Sequence, residues 1–157
     1  MLKVSTGFVA VAVALAGAAV AADYEHEAWP VENNGEGIYA FTDTGKASAI
    51  PLCTAFYAAD LKAMAEFNEQ KTAYSSVIEE HAQTMFTAYR SKFTGSEDDL
   101  SILTTDMTWH FGNAAQYGNY QEFKDSANMA CESYAVNNDV VTFDYLSSFN
   151  DELLSAL

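Results

Sequence analysis

From Pro51 to Thr94 the chain contains no Gly and no second Pro, and its apolar residues recur at helical spacing. Leu52, Cys53, Phe56, Ala63, Met64 and Phe67 are separated by one, three, four or seven residues. Tyr74, Val77, Ile78, His81, Met85, Ala88 and Tyr89 follow the same rule more closely. A stretch this long with a period near 3.6 predicts helix, since strands alternate with period two. Pro51 suits the first helical turn, where a missing N–H costs nothing. The periodicity loosens near Asn68 to Lys71, which predicts two helices and leaves one long helix as the alternative.

Downstream signals extend the pattern. Gly95 stops the second helix, with Lys92 near its negative end. Ser96, followed three residues later by Asp99, has the spacing of a capping box, and Glu97, Asp98 and Asp99 face the positive end of the dipole. Leu100, Leu103, Met107, Phe111 and Ala114 form the buried stripe of a third helix. Gly112 weakens it, so fraying before Gly118 is expected. Asn119 can cap a fourth helix, with Phe123, Ala127, Ala130, Cys131 and Tyr134 inward. After the turn Asn137-Asn138-Asp139, the apolar residues Val141, Tyr145, Leu146, Phe149, Leu153 and Leu154 suit a final helix. Val140 to Phe143 would serve equally as a strand.

Met1 to Ala22 stands apart. Lys3 is its only charge, Val4 to Ala22 is nearly all apolar or small, and Ala19-Val20-Ala21 has the A-x-A form of a cleavage site. That order of parts predicts a secretory signal peptide over residues 1–21. No Cys stands directly after the site, where Ala22 and Asp23 follow, so a lipid-anchored form is not expected. Cleavage would leave 136 of the 157 residues, enough for one core. Residues 22–50, punctuated by Trp29-Pro30, Asn33-Asn34-Gly35-Glu36-Gly37 and Asp43-Thr44-Gly45, predict an irregular N-terminal arm anchored by Trp29, Tyr39 and Phe41. Ile38 to Thr42 would suit a short strand with no evident partner. Residues 51–157 are the helical domain.

Export gives Cys53 and Cys131 their meaning. Two thiols and no third, in an oxidising compartment, predict one structural disulfide. Short connections make successive helices run up and down. Cys53 lies near the start of the first helix and Cys131 late in the fourth, so both fall at one end. The expected fold is all-α: an antiparallel four- to five-helix bundle with an irregular arm and one disulfide.

Charge limits the function. Twenty-two Asp and Glu stand against seven Lys and Arg, a net charge of -15. Nucleic acid and anionic membrane surfaces would be repelled. An acidic surface favours solubility outside the cytoplasm, and it also attracts a basic partner.

No motif carries a reaction. His26, His81 and His110 are far apart, and there is no H-E-x-x-H, E-x-x-H, C-x-x-C-H or G-x-S-x-G. His26 beside Glu25 and Glu27 would bind copper or zinc weakly at most. Glu97-Asp98-Asp99 lacks the alternating acids of a calcium loop. Glu79, Glu80 and Asp106 with His81 and His110 would be the acid–base set of a small periplasmic hydrolase, a third-ranked reading. Met64, Met85 and His81 would be the haem ligands of a cofactor-binding bundle.

The aromatics are unusually many, with ten Phe, nine Tyr and two Trp. A binding face is expected, if anywhere, around Trp109, His110, Phe111, Tyr117 and Tyr120, beside the Gly112–Gly118 break. The leading expectation is a noncatalytic, periplasmic or secreted binding module without cofactor. Its partner would be a basic protein, as for an inhibitor, an immunity-type protein or a chaperone. The alternative is a bundle binding a small ligand, haem or a metal.

Overall fold

The structure is a computed structural model that describes residues 30–67 and 70–157, with Phe67 as backbone only. Residues 1–21, where a signal peptide is expected, lie outside the described residues, as do His26 and Trp29. Five α-helices follow a short hairpin: α1 (Ala49–Phe67), α2 (Ala73–Lys92), α3 (Glu97–Tyr117), α4 (Tyr120–Asn137) and α5 (Phe143–Ala156).

The central element is α1. Leu52, Cys53, Ala55, Phe56, Tyr57 and Ala59 are buried on every side of it, because α2, α3 and α4 all pack against it. A helix apolar all round belongs in the middle of a bundle. A 3-10 turn, Gly45–Ser48, leads straight into it, so the helix begins two residues before Pro51. Gly45 is required there: a Cβ would sit 2.4 Å from the Pro30 side chain.

The break between α1 and α2 falls where the periodicity loosens. Thr72 caps α2, accepting from Ser75 N at 3.0 Å, and Ser75 Oγ accepts from Thr72 N at 2.8 Å. Ser96 and Asp99 make the expected capping box on α3. Gly112 does not fray that helix, which continues to Tyr117 and ends at Gly118 with φ 78°. A residue with a Cβ is strained at such an angle. Asn119 precedes α4, and its carbonyl accepts from Phe123 N, but its side chain makes no capping bond.

Val140 and Val141 form no strand. Both their N–H groups donate to Ala135 O, and Thr142 Oγ1 accepts from Tyr145 N at 3.1 Å to start α5. The preceding turn places Asp139 at φ 56°, a left-handed angle that Asp tolerates better than most residues.

Among the described residues of the N-terminal arm, a hairpin precedes the 3-10 turn. Tyr39–Phe41 pairs antiparallel with Val31–Asn33, in register Val31 to Phe41, Glu32 to Ala40 and Asn33 to Tyr39. The hairpin lies on α4, where Phe41 meets Tyr134 edge-on at 6.0 Å and Tyr39 N donates to Met129 Sδ at 3.2 Å. Cys53 and Cys131 are bonded across a sequence separation of 78, joining α1 to α4, and both are fully buried. No helix among the described residues is long and apolar enough to cross a membrane.

Candidate functional site

A polar cavity of about 420 Å³ opens between α1, α2, α4 and α5. Tyr57, Asp60, His81, Lys124, Asn128 and Glu132 line it, with Phe149 as a wall. Tyr57 Oη donates to Asn128 Oδ1 at 2.8 Å, and Asn128 Nδ2 donates to Glu132 Oε1 at 3.0 Å. His81 Nε2 lies 2.8 Å from the same carboxylate oxygen, and His81 Nδ1 lies 2.9 Å from Tyr145 Oη. A carboxylate only accepts, so the imidazole proton sits on Nε2 and, in the neutral ring, Nδ1 accepts from Tyr145. Phe149 stacks on the imidazole with ring centroids 3.7 Å apart.

Carboxylate, imidazole and hydroxyl in that order resemble a nucleophile-activating relay. Burial raises the Tyr145 phenol above its ordinary range, opposed by a hydrogen bond with Thr84 and reinforced by the Glu132, Glu80 and Glu152 charges. The network ties α5 to α2 and α4 with its polar atoms satisfied. It also engages both His81 nitrogens, leaving neither for haem. Among the described residues, no group of three or more His, Cys, Asp or Glu is placed to hold a metal ion.

At the inner edge of the cavity, Lys124 Nζ of α4 meets Asp60 Oδ1 of α1 at 2.9 Å. Asp60 is only 4% exposed. Burial raises its carboxyl above the usual range, opposed by the Lys124 charge. Burial also pulls the Lys124 ammonium down, and the charge and hydrogen bond of Asp60 more than reverse it.

A separate apolar recess of about 500 Å³ lies between α1 and α3. Ala59 and Ala63 of α1, Phe111, Gly112 and Ala115 of α3, and Tyr120 of α4 form it. Its only charged residues, Lys62 and Glu66, have opposite signs.

The residues singled out by sequence do not share one face. Phe111 is buried in the core, edge-on to Phe56, Tyr120 and Phe123. His110 is buried as well, and burial pushes its pKa down to about 3. Trp109 and Tyr117 are on the surface, 39% and 36% exposed, and Tyr120 is half-buried. Phe111 and Tyr120 meet at the recess, whereas Trp109, His110 and Tyr117 do not line it. Part of the aromatic excess is core: Phe56, Tyr57, Tyr89 and Phe123 are all fully buried. The sequence does not announce the polar network because its members come from four helices, α1, α2, α4 and α5. The one available signal was His81, a titratable residue on an otherwise apolar stripe.

The charges are unevenly distributed. Lys46, Lys71, Arg90 and Lys124 each lie in an ion pair, with Asp43, Glu79, Glu97 and Asp60 respectively. Beyond Lys124 there is no Lys or Arg, while Asp125, Glu132, Asp139, Asp144, Asp151 and Glu152 follow. Comparison with protein-family models, curated proteins and solved structures gives no match to this chain.

Proposed function

We propose that this chain is an exported, noncatalytic binding module and that its partner is a basic protein, in an inhibitory, immunity-type or chaperone-like role. The observation that carries this is the cation-free stretch from Asp125 to Leu157, whose Asp139, Asp144, Asp151 and Glu152 are exposed. Such a surface raises the encounter rate with a cation-rich partner and repels acidic ones. The Cys53–Cys131 bond suits an oxidising compartment. The test is capture from an extracytoplasmic extract on the immobilised protein at low salt, elution with salt, and mass spectrometry. A specific basic protein released by salt is expected. Retention of nothing specific, or of a neutral partner insensitive to salt, would overturn the proposal.

A second reading, a small-ligand binder, is favoured by the recess at Gly112. A Cβ added there would meet nothing within 4 Å, so packing does not demand the glycine. Its φ is not positive either. Glycine inside a helix costs about 1 kcal/mol relative to alanine. What the missing side chain does is keep the recess open toward Phe111 and Tyr120. An uncharged aromatic molecule suits walls of this kind. The neutral dye N-phenyl-1-naphthylamine should brighten on binding to the native protein and not to Gly112→Leu. Equal brightening with both would remove this reading.

A further inference from the structure

We infer that the outward face of α5 is the surface on which a basic amphipathic helix of the partner docks. This rests on the basic-partner reading and adds where the partner sits and what shape it has. Helix α5 is held on its inner side by α2. Phe149 is buried, with Tyr145, Leu146 and Leu153 half-buried beside it. At about 100° per residue, Phe143, Ser147, Asn150 and Leu154 fall on one outward stripe. All four are exposed, Phe143 at 70% and Leu154 at 68%. Phe143 and Leu154 are the two apolar side chains of that stripe, eleven residues or about three turns apart with the polar Ser147 and Asn150 between them. Exposed apolar residues on one helix stripe are the anchors that a helix-on-helix partner covers. Asp144 and Asp151 lie on the adjoining flank, exposed, and Glu152 lies beyond them. The helix itself carries no cation to neutralise them.

Charge decides between occupants. A second copy would bring Asp144, Asp151 and Glu152 against their own equivalents, and like charges across an interface oppose pairing. Anionic lipid would be repelled for the same reason. A helix with an apolar stripe bordered by Lys or Arg matches both features at once. The apolar side chains then set how long the partner stays, and the flanking acids set how fast it arrives and how strongly salt weakens it.

The test uses the full chain, disulfide intact, with a synthetic Leu/Lys amphipathic helical peptide and its Leu/Glu counterpart. Binding is measured by fluorescence anisotropy at low and high salt. Three double variants are compared: Phe143→Ser with Leu154→Ser, Asp151→Lys with Glu152→Lys, and Glu32→Lys with Glu36→Lys on the hairpin as a matched control. Lysines near the C-terminal end of a helix suit its dipole, so the second variant is expected to fold even if the first does not. The Leu/Lys peptide alone should bind. The first two variants should each weaken it about tenfold or more, as loss of an interface anchor does. The hairpin control should stay within about twofold of the native protein. If all three variants weaken binding equally, or the hairpin variant alone does, the α5 surface is wrong although the basic-partner reading stands. If the Leu/Lys peptide does not bind even at low salt, both fall. A dimer in light scattering that Phe143→Ser with Leu154→Ser dissociates would give the face to a second copy and overturn the inference.

Discussion

Tyr89 on α2 donates its hydroxyl hydrogen to the main-chain carbonyl of Cys131 on α4, so a disulfide residue is held from two sides. The ring stacks with Tyr57 at 6.0 Å and Tyr134 at 6.4 Å, and it is fully buried. Removing only the hydroxyl leaves the packing and loses one buried hydrogen bond. Tyr89→Phe should therefore destabilise the fold by about 1 kcal/mol. Urea unfolding measures it, and an unchanged midpoint would show that the bond contributes nothing.

The disulfide itself is worth more. Cross-linking residues 78 apart removes loop entropy from the unfolded chain, by about 4 to 5 kcal/mol in the chain-entropy account. Cys53→Ala with Cys131→Ala should lose most of that and leave two small gaps beside Tyr89. Native protein unfolded with and without reductant supplies the same comparison without mutation. Equal midpoints in the two conditions would contradict the account.

The Asp60–Lys124 pair is a different kind of contact. Lys124→Met leaves the Asp60 carboxylate buried with its cation gone, which costs about 3 kcal/mol for such pairs. Changing both sides, as in Asp60→Leu with Lys124→Met, removes the stranded charge. The double variant should be more stable than the single one, and a double-mutant cycle reads the difference. Additive losses would mean that the two residues do not depend on each other.

Local signals along the chain made most of the bundle legible. Ser96 and Asp99 announced α3, and the Cys53–Cys131 bond agrees with the pairing expected from two cysteines and the helix order. The Thr72–Ser75 box was missed because its second member is Ser instead of the usual Glu or Gln. The pairing of Val31–Asn33 with Tyr39–Phe41 was missed because the first strand is three residues long and only Val31 is apolar. The expected aromatic face failed to assemble for a simpler reason. Consecutive residues on a helix point about 100° apart. Trp109, His110 and Phe111 were bound to separate, one to solvent and two to the core. The recess instead draws Ala59 and Ala63 from α1, and no pattern within one helix reports a contact between two.

His110 makes the stability of this protein depend on mildly acidic pH. Burial holds its folded-state pKa near about 3, against 6.5 for the ordinary group. The unfolded chain therefore takes up a proton below pH 6.5 that the folded chain refuses until about pH 3. Stability from this group is fully present above 6.5 and is lost as pH falls, by about 1.4 kcal/mol per unit inside the window. Carboxylates titrate mainly below about pH 5, so the interval from 6.5 to 5 separates His110 from them. Unfolding free energies of the native protein and of His110→Gln, measured across that interval, should converge by about 2 kcal/mol. Curves that stay parallel would mean that the buried imidazole protonates in the folded state as readily as in the unfolded one.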